Sequence, residues 1–99
     1  MLNSRQRAFL RGMANDYETI IQIGKGGISP ALIKTVSEAL YVRELIKIKV
    51  HSTAPEDIRT IANQVAEQSE SEIVHIIGSK IILYKHSDNK DITPIKLVK

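Results

Sequence analysis

The chain has 99 residues, 42% of them hydrophobic, enough to close one compact core and too little for two. It has no cysteine, which excludes a disulfide framework, a thiolate nucleophile and a thiolate metal site; no apolar run approaches the roughly 20 residues of a membrane span, and Arg5, Arg7 and Arg11 interrupt the stretch where a secretory signal would be apolar, so a soluble, cytoplasmic protein is expected. The formal charge of +3 is unevenly placed, with eight Lys/Arg against four Asp/Glu in residues 1–50 and six against seven in residues 51–99.

In chain order, Asn3 or Ser4 can cap a first helix running to about Met13, with Leu2, Gln6, Phe9, Leu10 and Met13 on one face and Arg7 and Arg11 on the other. Asn15-Asp16 breaks the pattern, and Tyr17 to Ile23, rich in aromatic and β-branched residues, reads as a strand. That strand ends in Gly24-Lys25-Gly26-Gly27, a Gly-x-x-Gly loop leading into Ser29-Pro30, an N-cap and first-turn proline. Leu32, Ile33, Val36 and Leu40 give the apolar stripe of a second helix ending near Arg43.

Leu45 to Val50 alternates, with Ile46, Ile48 and Val50 facing one way and Leu45, Lys47 and Lys49 the other; one face should meet the core and the other water or a ligand. Thr53-Ala54-Pro55-Glu56 resembles a capping box ahead of a third helix striped by Ile58, Ile61, Ala62 and Val65 and ending around Ser69. Glu72 to Ile77 and Lys80 to Lys85 are strand-like runs separated by Gly78-Ser79, the spacing of a two-residue hairpin. Residues 86–99 change composition and are expected to form a tail, poorly ordered. The order α-β-α-β-α-β-β implies one small mixed sheet, its first two strands parallel and joined by a right-handed helical crossover.

The strand–loop–helix junction at Gly24–Gly27 is suited to hold a phosphate: glycine lets the backbone approach a ligand closely, the amides at a helix start attract negative charge, and Lys25 puts a cation at the loop tip. The same four residues also suit an ordinary tight turn. The loop matches neither a Walker loop, which needs a longer gap before Gly-Lys-Ser/Thr, nor the dinucleotide fingerprint, which needs glycine or alanine where Ser29 stands. His51, His75 and His86 are too dispersed for a metal site, and no nucleophile elbow or catalytic carboxylate pair is evident; no enzyme activity, metal or cofactor is expected. Arg7, Arg11, Lys47 and Lys49 with the loop would suit a polyanion. With one Phe, three Tyr and no Trp, gripping a nucleic-acid backbone fits better than stacking on bases, as in the Gly-x-x-Gly loop of KH domains.

Four motifs in order, Leu10-Arg11-Gly12-x-Ala14, Ile23-Gly24-Lys25-x-Gly27-Ile28-Ser29, Arg43 to Lys49, and Ile77-Gly78-x-x-Ile81-Ile82-Leu83-Tyr84-Lys85, resemble the CRM domain (chloroplast RNA splicing and ribosome maturation) across nearly the whole chain. A free-standing domain of this size is similar to the bacterial YhbY-like members. The resemblance implies a single two-layer α/β domain like the C-terminal domain of translation initiation factor three, with an added N-terminal helix and a mixed four-stranded sheet in order 1-2-4-3. It also implies RNA binding, with ribosomal RNA in precursors of the large subunit as partner, through Gly24, Lys25, Gly26 and Gly27 and the basic Arg7, Arg11, Lys47 and Lys49. The last strand ends in Tyr84-Lys85 where the family leads one to expect Tyr-Arg, losing a guanidinium fork. A monomer is expected. The competing reading is a protein-interaction module that docks on a ribosomal protein or assembly factor; a phosphorylated small molecule is a more distant third.

Overall fold

The computed structural model describes residues 1–98, in the order α1 (Ser4–Ala14), β1 (Ile21–Ile23), α2 (Pro30–Arg43), β2 (Leu45–Val50), α3 (Ile58–Gln68), β3 (Glu72–Ile77) and β4 (Lys80–Tyr84). Each helix starts where its local chemistry supplies a cap. Asn3 accepts the Gln6 N–H at 2.8 Å while Gln6 accepts the Asn3 N–H at 3.0 Å, Ser29 accepts from Leu32 ahead of Pro30, and Asp57 accepts from Thr60. The third cap is therefore Asp57 and not the Thr53 box: Pro55 and Glu56 precede the helix. The Thr60 amide, and then its hydroxyl, hold the Asp57 carboxyl below its ordinary range.

The four strands form one sheet in the order β1-β2-β4-β3, with β1 parallel to β2 and the other pairs antiparallel. This is the α/β strand order and pairing expected, with α2 joining the parallel β1 and β2 and Gly78-Ser79 joining β3 to β4. Gly78 takes up the left-handed backbone of the hairpin turn at φ +57°. The first strand is shorter than expected. Tyr17 N–H closes the end of α1 on Ala14 O and Tyr17 O receives the Lys47 ammonium, so that segment's polar groups are used outside the sheet ladder until Ile20.

Alternation along β2 divides the core. Ile46, Ile48 and Val50 join Ile21, Ile23, Ile81 and Leu83 under α2 and α3, where Val36, Leu40, Ile61 and Val65 close the larger cluster. Leu45, on the other face, joins Val74, Ile82 and Tyr84 beneath Leu2, Leu10 and Ala14 of the N-terminal segment. The second face of the sheet is thus partly roofed by α1, and Phe9, expected on its buried side, stands 37% exposed because Leu10 and Ala14 point inward.

Among the described residues the C-terminal segment carries no helix or strand but is tied down. Of the expected tail, Lys99 lies outside the described residues; Ile95 and Leu97 pack on the second cluster, and Val98 O accepts from Gln6 Nε2 at 3.0 Å. Its anchor is Glu44, fully buried at the C-cap of α2 with φ +63°. Glu44 Oε2 accepts from Ser87 N–H and Oε1 from Ile95 N–H, each at 2.7 Å, and His86 Nδ1 lies 3.2 Å from Oε2. A non-glycine residue in that backbone region costs about 1–3 kcal/mol. Two charge-assisted hydrogen bonds, each worth about 1.5–3 kcal/mol, offset that cost.

Candidate nucleic-acid interface

The Gly24–Gly27 loop is a four-residue turn closed by Gly27 N–H donating to Gly24 O at 2.9 Å. Only Gly27 needs to be glycine: its φ is +63°, and a Cβ there would stand 2.9 Å from Pro55 Cγ. Gly26 has neither constraint, and a Cβ on it would meet nothing within 4 Å. Lys25 is exposed at the turn.

The helix start behind the loop offers fewer donors than expected. Pro30 has no N–H, Leu32 N–H is taken by Ser29 Oγ, and Ile33 N–H by Ser29 O, which leaves Ala31 as the donor of the first turn. On the α3 side, Glu56 and Pro55 line the hollow beside Gly26 and Gly27, so a carboxylate disfavours anions there. The other side of the loop opens onto the sheet.

Strand register sets out what lies on that open side. Gln22 pairs with Lys49, Lys49 with Lys80, and Lys80 with Ile77, so these four side chains form one row across all four strands on the face opposite α2 and α3. The row borders the glycine loop, since His51 N–H donates to Ile23 O and His51 Nε2 lies 2.7 Å from Gln22 Oε1. Lys49 and Lys80 are direct cross-strand neighbours, which places their Cβ atoms about 5 Å apart. Among the described residues neither ammonium has a hydrogen-bond or ion-pair partner. Like charges held side by side without a counterion are destabilising; an anion laid across them would reverse the sign.

One row closer to α1, Lys47 has a different fate. It is 8% exposed, and its ammonium donates to Ala14 O at 3.0 Å and Tyr17 O at 3.2 Å. It caps the carbonyl end of α1 and neutralises that end's negative partial charge. The expectation that Lys47 belongs to an exposed basic surface is corrected: alternation puts it on the right face, but α1 covers that face at this level. Arg7 is half-buried and Nε donates to Ile73 O at 3.3 Å, tying α1 to β3. Arg11 is exposed on the last turn of α1 and overlooks the open half of the sheet. Lys49, Arg11, Lys25 and the loop therefore lie at one end of the molecule.

Three contributors are not singled out by the sequence patterns: Lys80, Gln22 and His51. The Gly78-Ser79 hairpin places Lys80 opposite Ile77, a local signal. Its adjacency to Lys49 depends on the non-local pairing of β2 with β4.

Residues 2–85 match the CRS1/YhbY (CRM) domain. Over 93 residues the chain is 43% identical to YqeI of Bacillus subtilis strain 168, named a probable RNA-binding protein, covering 93% of this chain and 97% of the relative. A Haemophilus influenzae protein named as RNA-binding is 29% identical over 91 residues, covering 92% of each chain. Among solved structures, the solution structure of the hypothetical protein SAV1595 from Staphylococcus aureus, described as a candidate RNA-binding protein, superposes with a TM-score of 0.77 at 40% identity, covering 96% of this chain and all of the other. Fold, motif order and a family match over most of the chain agree, and the protein belongs to the CRS1/YhbY (CRM) domain family.

Proposed function

We propose that this protein binds RNA without catalysing a reaction, and that its ligand is ribosomal RNA in precursors of the large ribosomal subunit. The observation that carries the reading is the Lys49–Lys80 pair, without a hydrogen-bond or ion-pair partner among the described residues, in a row of side chains that runs to the Gly24–Gly27 loop. Such a surface neutralises successive phosphates and gives sequence-independent affinity, while the loop backbone adds close contacts. Family membership and the names of the relatives support RNA as the class of ligand. The ribosomal target rests on the likeness to free-standing bacterial members.

The test is sedimentation of the protein with ribosomal particles before and after nuclease, joined to crosslinking and sequencing of the attached RNA. Crosslinks concentrated in large-subunit precursor RNA, and release by nuclease, are expected. Association that survives nuclease and is reproduced with purified ribosomal proteins would favour a protein-docking module instead.

A further inference from the structure

Between the last turn of α1 and the β3–β4 hairpin lies a groove of about 440 Å³, within the size range of small-molecule sites. Its floor is apolar, with Ile82 buried and Ile77 56% exposed. Its rim is polar: Arg11 and Asn15 stand on the helix side and the His75 ring on the sheet side. Gly12 leaves the helix wall bare, since a Cβ there would meet nothing within 4 Å. Lys47 seals the inner end, its ammonium taken up by Ala14 O at the end of α1.

We infer that this groove receives one unpaired nucleotide of the bound RNA, its base lying over Ile77 and Ile82 and its phosphate beside Arg11. The inference deepens the RNA-binding reading and rests on it. A paired duplex is too wide to descend between a helix and the sheet it packs against, whereas a single extruded base can. The chemistry at each position suits a base: an apolar floor for its ring, an imidazole for stacking or hydrogen bonding, and an Asn amide that can donate and accept at the base edge. His75 and Ile77 face the groove on the same side of the sheet as Lys80, one strand away, so a strand whose base entered here would keep its neighbouring phosphates near the Lys49–Lys80 pair.

The experiment uses the full chain and two RNA probes, a 16-base-pair duplex and the same duplex with one bulged uridine. Wild type should bind the bulged probe about tenfold more tightly, the scale of one base stacked on a side chain. Gly12→Leu fills the groove from an exposed helical position that favours leucine over glycine, so it should keep or raise Tm. It should reduce the preference below about twofold and leave duplex affinity unchanged. His75→Ala, from the opposite wall, should lower the same preference independently. Equal binding of both probes by wild type, or a preference that survives Gly12→Leu, overturns the groove assignment and leaves RNA binding standing. Failure to bind either probe overturns both.

Discussion

Lys47 and Lys49 lie two residues apart on one strand and point to the same face of the sheet, yet they do opposite work. At Lys47 the face is roofed by α1, and the ammonium is spent on two backbone carbonyls inside the fold. At Lys49 the roof has ended, and among the described residues the ammonium stands beside Lys80 without a protein partner. A basic residue's role on this face is set by how far α1 extends across the sheet. The closed half is built for stability, with Leu10, Ala14, Leu45 and Tyr84 packed together and the C-terminal segment pinned by Glu44. The open half carries the glycine loop and the cations Arg11, Lys25, Lys49 and Lys80, the surface proposed to meet RNA.

The largest effect expected within this division is at the closed end. Glu44→Ala leaves the buried Ser87 amide and the partly buried Ile95 amide without their acceptor and should cost about 3 kcal/mol in urea unfolding. Hydrogen exchange at Ser87 and Ile95 should accelerate, while RNA affinity of the folded protein stays within about twofold. A large loss of affinity in folded Glu44→Ala would show that the two halves are not separate.

A smaller effect comes from Tyr84 in the same half. Burial, then the nearby Glu44 and Glu72 carboxylates, raise its pKa above the ordinary 10.0. With the folded value above the unfolded one, the folded protein holds this proton more tightly. The resulting stabilisation is full below pH 10.0 and is lost as pH rises through the folded value. Tyr84→Phe removes that dependence, so chemical denaturation between about pH 9 and 11 should show stability falling less steeply in the variant than in wild type. Equal slopes would mean that the hydroxyl titrates alike in both states.

Much of this arrangement is legible in the sequence because its signals are local. Ser29-Pro30 marks the start of α2, alternation fixes Leu45–Val50, and Gly78-Ser79 fixes the hairpin. Alternation tells which face Lys47 occupies but not what covers that face, because the placement of α1 is decided by tertiary packing of Leu10 and Ala14. Lys80 is inconspicuous for a related reason: its partnership with Lys49 is made by strands far apart in the chain, with α3 and β3 between them. Glu44 reads locally as an ordinary acid at a helix end, and its burial depends on a C-terminal segment whose polar residues 86–91 suggest disorder. Ile95 and Leu97 are too sparse a signal to reveal that the segment packs. At the start of α2, Ser29 and Pro30 use up or remove every first-turn donor but the Ala31 N–H, which a motif alone does not disclose.

The division into a structural and a gripping half is tested most directly by the salt dependence of RNA affinity. With a 16-base-pair RNA duplex, the logarithm of the binding constant should fall steeply and linearly with the logarithm of salt concentration for wild type. Lys49→Gln combined with Lys80→Gln should reduce the magnitude of that slope by about 2, one for each phosphate no longer neutralised, while Lys47→Met, folded at low temperature, should leave it unchanged. A slope reduced by Lys47→Met and untouched by the double variant would contradict the account and place the grip elsewhere.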